Sequence, residues 1–142
     1  MPSPSDIRRI ALQILFAFDS QQDSSAEHAR EVGLGATNDL DALGKAVTMA
    51  TGAWEQRKLA DEWAAKLAPQ WPTHRQPGVD RAIIRLAIWE LTQGETPPKV
   101  VLDEAIELAK EFSTENSPSF VNGVMDAVLK EITNLKSGPI PE

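Results

Sequence analysis

Few residues in this chain are equipped for chemistry. The two histidines, His28 and His74, stand in unrelated polar segments, and there is no cysteine, which excludes disulfides, thiol nucleophiles and zinc sites built on cysteine. Glu104, Glu107 and Glu111 recur at helical spacing, as a carboxylate metal site would require. Such sites in helical bundles add a Glu-x-x-His, absent here, so the glutamates read as a solvated acidic face and the histidines as surface residues. No glycine-rich phosphate loop, Gly-x-Ser-x-Gly or His-Glu-x-x-His occurs. Neither an enzyme nor a cofactor nor a metal is expected.

Recognition chemistry is what remains. Arg81 and Arg85 are four residues apart and share one face of an otherwise apolar helix, where two like charges need either carboxylates from a neighbouring helix or a partner. In the run SPSFVNGVMDAVLKEI, Ser117 to Ile132, an asparagine and a glycine interrupt a helix that buries Phe120, Val121, Val124, Val128 and Ile132. Gly123 and Ala127 can form a small-residue seam for another helix, at a propensity cost of about 1 kcal/mol for the glycine. Phe120 beside Asn122 can instead stack on and hydrogen-bond to an unpaired base. The residues themselves leave both readings open.

Helical periodicity dominates the elements that must position these residues, and no stretch alternates with period two. The fold class is all-α. Ser5 is a good N-cap for a first helix whose stripe is Ile7, Ile10, Ala11, Ile14, Leu15 and Phe18. A short helix from Ser25 to Val32 follows. One long helical pattern then runs from Asp39 or Asp41 through Leu43, Val47, Ala50, Trp54, Leu59, Trp63 and Leu67, with Gly52 either bending it or admitting a neighbour, until Pro69 and Pro72 stop it.

The proline-rich PQWPTHRQPG connector places a subdomain boundary near Pro72 to Gly78. A central helix, VDRAIIRLAIWELTQG, is apolar on nearly every side and ends at Gly94. Thr96 caps and Pro97 opens an amphipathic helix through Phe112. Ser117 caps and Pro118 opens the last helix, which fades near Asn134 into a loose tail. The expected architecture is six to seven helices in one domain of 1–142. Two small bundles pack side by side within it, an N-terminal one over about 5–71 and a three-helix one over 78–135.

The chain has 142 residues, 42% of them hydrophobic and 25% charged, enough to bury a core. No apolar run reaches the roughly 20 residues that span a bilayer, and the N-terminus lacks the basic and apolar regions of a signal peptide, so a cytoplasmic protein is expected. The formal net charge of -7 opposes nucleic-acid binding by the field of the whole molecule. Any RNA contact therefore needs a local patch. Arg8 and Arg9 are balanced by Asp6 and Asp19 within residues 1–22, while Asp23 to Lys45 carries a net charge of -3, so the arginines stand locally unopposed only at the very start.

The segments RRIALQILFAFD, VDRAIIRLAIWEL and PKVVLDEAIELAKEFSTENSPSFVNGVMDAVLKE, in this order and spacing, resemble the NusB family of bacterial transcription antitermination factors. The resemblance covers most of the chain, is close from Val79 to Glu131 and is weak from Ser20 to about Leu40. It implies an all-helical fold of two small bundles without catalysis. It implies binding to boxA-type single-stranded RNA together with a small-subunit ribosomal protein, NusE. That complex would join elongating RNA polymerase and carry ribosomal RNA transcription past terminators.

By position, the resemblance assigns Arg8, with Arg9 in the same basic arm, and Phe16 to RNA. It also assigns Asn116, Ser117, Phe120 and Asn122 to RNA, and Asp80, Arg81 and Ile84 to the ribosomal protein. The sequence departs from the family where the arm is MPSPSD rather than basic, where Ser119 replaces a common basic residue, and where Phe16 lacks a tyrosine hydroxyl. Each lost cation removes a phosphate contact, implying weaker RNA binding and a shallower salt slope than a fully basic member would have. The alternative is a protein-interaction or homodimerisation domain of the same fold with little RNA binding. A related fold precedes the catalytic domain of some rRNA cytosine methyltransferases, but this chain stops where that domain would begin.

Overall fold

The computed structural model describes residues 2–69 and 76–137, residues 134–137 by their backbone alone. Among them are seven α-helices and no strand: α1 (Pro4–Gln21), α2 (Ala26–Ala36), α3 (Leu40–Glu55), α4 (Arg57–Leu67), α5 (Gly78–Gln93), α6 (Pro98–Phe112) and α7 (Ser117–Ser137). Most of the proline-rich connector, with Pro72 and His74, lies outside the described residues, as does the tail beyond Ser137. Among the described residues, no helix is long and apolar enough to cross a membrane.

The first helix is capped by Ser3 rather than Ser5. The Ser3 hydroxyl accepts from the Asp6 N–H at 3.1 Å and the Asp6 carboxylate accepts from the Ser3 N–H at 2.9 Å. Ser3 succeeds because Pro4 at the first helical position has no N–H to satisfy and Asp6 supplies the reciprocal acceptor. The same bonds hold the Asp6 carboxyl below its usual pKa. Ser5 instead donates to Glu104 on α6, 2.6 Å away.

The second helix runs four residues past the expected Val32, and the long pattern after Asp39 is two helices, broken at Gln56. The side that both helices bury is a row of alanines, Ala50, Ala53, Ala60 and Ala64, whereas Leu59 of the expected stripe is exposed. Arg57 covers the break: its guanidinium lies 4.0 Å over the Trp54 ring, and its Nη1 donates to the Trp54 carbonyl at 2.7 Å. α3 runs through Gly52 without interruption. The glycine admits the Trp89 indole of α5, whose Cε2 and Cζ2 would stand 2.6 and 2.8 Å from an added Cβ. Gly52→Ala should therefore force the indole aside and cost about 1–3 kcal/mol, measurable as a lower urea midpoint with a Trp fluorescence shift; an unchanged midpoint would refute the contact.

At the centre, α5 packs against α1, α3, α4, α6 and α7. Ile83 and Ile88 are completely buried, each worth about 1.5–3 kcal/mol of transfer free energy. The buried apolar residues form one continuous core from Ile10 on α1 to Val128 on α7. Gly94 ends α5 at φ +72°, the left-handed geometry that glycine adopts without strain. The start of α6 is displaced by one residue from expectation, with Pro97 at the cap and Pro98 at the first helical position, because the second of two prolines takes that place. The last helix continues to Ser137, beyond the expected Asn134.

Candidate functional site

The opening arginines are not unopposed. Arg8 faces inward from α1, and its Nε reaches both oxygens of Glu90 on α5 at 2.9 and 3.0 Å. Its Nη1 lies 3.3 Å from Glu104 on α6. Both the Arg8 and Glu90 side chains are only 9% exposed. Arg9, one residue on, points along the surface. Its Nη1 pairs with Asp6 and its Nε with Glu111 on α6, each at 2.8 Å. The Glu111 carboxylate, ahead of Asp6, raises the Arg9 pKa above its usual value.

The glutamates of α6 are accordingly not a merely solvated face. Glu104 and Glu111 tie α6 to α1, and Glu107 pairs with Lys110 one turn away. Among the described residues, no three acidic or imidazole groups converge as a metal site would require. His28 is partly buried rather than on the surface: its Nδ1 lies 3.9 Å from Asp23, and its Nε2 is buried without a hydrogen-bond partner.

A second cluster joins the start of α5 to the start of α7. Asp80 is 2% exposed, and its carboxylate accepts from the Ser113 hydroxyl and, at 2.8 Å, from the Ser117 hydroxyl. The Ser117 hydroxyl also lies 2.9 Å from that of Ser113 and 2.7 Å from that of Thr114, so three hydroxyls and the carboxylate form one hydrogen-bonded cluster. Ser117 thus belongs to the first turn of α7 and anchors it to α5 instead of capping it. Asp80 and Ser117, assigned to different partners by position, touch each other inside the protein.

Beside this cluster, Leu67, Ala68, Gln76, Asn116, Phe120 and Gly123 border an open groove. Asn116 and Asn122 are exposed and Phe120 is half-buried, its inner side against the core. The small-residue seam expected at Gly123 is not used among the described residues: a Cβ there would meet none of them within 4 Å.

A third group surrounds the start of α5. Phe16 is 37% exposed and its ring edge would lie 3.1 Å from a Cβ on Gly78, with the Arg81 guanidinium 3.8 Å away on the same side. Arg81 is held by Asp19 through Nε at 2.9 Å and Nη2 at 2.7 Å. Arg85 meets both oxygens of Asp61 on α4 at 2.9 and 2.7 Å. The two arginines are thus paired with carboxylates of neighbouring helices. Ile84 is 2% exposed and part of the core, so it presents no surface to a partner.

The geometry adds Glu90, Glu104, Glu111, Asp19, Ser113 and Thr114 to the residues that shape these surfaces. Glu90 carried a readable signal, since a carboxylate on a helix with no wet face demands a cation.

The NusB family model matches residues 5–130. The transcription antitermination protein NusB of Solibacter usitatus is 38% identical over 141 residues, covering 98% of this chain and 97% of that protein. The NusB structure from T. maritima superposes with a TM-score of 0.78 at 31% identity, over 92% of this chain and 94% of that one. A crystal structure of the antitermination factors NusB and NusE in complex with dsRNA gives a TM-score of 0.79 at 25% identity, covering 89% of this chain and 96% of its counterpart.

Proposed function

The chain belongs to the NusB family, and from that premise we propose that it is a non-catalytic adaptor in transcription antitermination. It binds boxA-type single-stranded RNA jointly with the ribosomal protein NusE, and through that complex acts on elongating RNA polymerase during ribosomal RNA synthesis in the cytoplasm. The observation that carries this reading is the fold shared, over 89% of the chain, with a protein solved together with NusE and RNA.

In this reading Arg9, Phe16, Asn116, Phe120 and Asn122 meet the RNA. The exposed amides and half-exposed rings suit stacking and edge recognition of unpaired bases. Arg8 and Ser117 support that surface from beneath. Arg81 and its Asp19 partner contribute to the NusE-facing side, where Asp80 and Ile84 act by holding α5 in place.

The ion pairing of Arg8 and Arg9 favours a second reading, a protein-interaction or homodimerisation domain with little RNA affinity of its own. Titration of a fluorescent boxA-like RNA at two salt concentrations, with and without NusE, separates the two. The adaptor shows salt-sensitive binding that tightens with NusE. An absence of binding in both arms would leave only the interaction domain.

A further inference from the structure

The two opening arginines differ in how tightly their carboxylates hold them. Arg8 is locked between Glu90 and Glu104 within the protein, whereas Arg9 and Glu111 meet at 2.8 Å with side chains 39% and 45% exposed. Exposed ion pairs of this kind contribute little to stability and exchange readily. A phosphate offers the guanidinium fork the same arrangement of acceptor oxygens as a carboxylate.

We infer that Glu111 is an affinity-setting residue that occupies Arg9 in the free protein as an internal substitute for an RNA phosphate and gives way when a strand docks. The inference rests on the RNA-binding reading above. Glu111 lies at the end of α6, five residues before Asn116, so the exchange takes place where α6 leads into the second RNA-facing segment. When displaced, the Glu111 carboxylate is left as a negative charge beside the incoming strand. It opposes binding both as a competitor for Arg9 and as a repelling neighbour.

The test is a two-by-two comparison of RNA affinity and salt slope for the wild type, Glu111→Gln, Arg9→Ala and the double variant, in the presence of NusE. Glu111→Gln should bind boxA-like RNA about three- to tenfold more tightly at low salt, with a slope steeper by up to about 0.7. In the Arg9→Ala background the same change should give most of that gain no longer. A gain of equal size in both backgrounds would mean that only the removed negative charge matters, and would overturn the exchange. Binding by the wild type with no change in Glu111→Gln would also overturn it while leaving the RNA-binding reading intact. No binding by any of the four proteins would instead remove that reading, and this inference with it.

Discussion

Arg8→Ala is expected to lower the unfolding free energy by about 3–5 kcal/mol, because it strands Glu90 as a buried, unpaired carboxylate. The bidentate contact at 2.9 and 3.0 Å lies between side chains that are each 9% exposed, so water cannot readily replace the lost guanidinium. Removing both charges should behave differently. Arg8→Met with Glu90→Leu keeps most of the volume and discards two desolvated ions, a change that is often neutral or stabilising in such settings. Urea unfolding followed by circular dichroism measures both. An Arg8→Ala midpoint equal to that of the wild type would show that the pair does not hold α1 to α5. The result also governs how RNA-binding data are read, since loss of binding by Arg8→Ala reports the fold unless the variant is shown to be folded in the assay.

Arg8 also shows where a sequence stops being informative. Its neighbours Asp6 and Asp19 gave a local charge balance, but the groups that decide its environment, Glu90 and Glu104, lie 82 and 96 positions away. The types and approximate places of the helices were legible because burial imposes its own period: apolar residues on nearly every side of α5 marked it as central, and it is the helix against which α1, α3, α4, α6 and α7 pack. The glycine after α5 was legible for a local reason, its backbone conformation.

The break at Gln56 was not. The buried Ala50, Ala53, Ala60 and Ala64 keep the helical period across it, and what accommodates the break is a side chain, Arg57, folding back over Trp54. Gly123 misled in the opposite direction, since small residues at helical spacing permit a close helix without summoning one. For the candidate site, sequence position named segments but could not separate groups that face solvent, such as Asn116 and Asn122, from Asp80, Ser117 and Ile84, which face inward. Inward and outward positions occur within a single helical turn, where one residue's shift rotates a side chain by about 100° around the axis.

Asp80→Ala should lower the unfolding free energy by about 2–4 kcal/mol, since hydrogen bonds to a charged acceptor are the stronger kind and two of them converge on this carboxylate. The loss should be felt first at the start of α7. Ser113 and Ser117 lie on either side of the α6–α7 turn, and both donate to Asp80, so one side chain of α5 fixes the turn and the helix that follows. Asp80→Asn keeps one carbonyl oxygen as acceptor and should retain about half of the stabilisation. Asp80→Arg would bury a cation where no carboxylate remains, and should unfold the protein more readily than either. Native-state hydrogen exchange of the amides from Val121 to Met125, alongside urea unfolding, distinguishes local release of α7 from global loss. Equal protection in Asp80→Ala and wild type would falsify the anchoring role. The outcome bears directly on function: if α7 loosens, Phe120 and Asn122 lose their fixed positions as well, so reduced binding of either RNA or NusE by an Asp80 variant would follow from displacement of the surface, without Asp80 touching either partner.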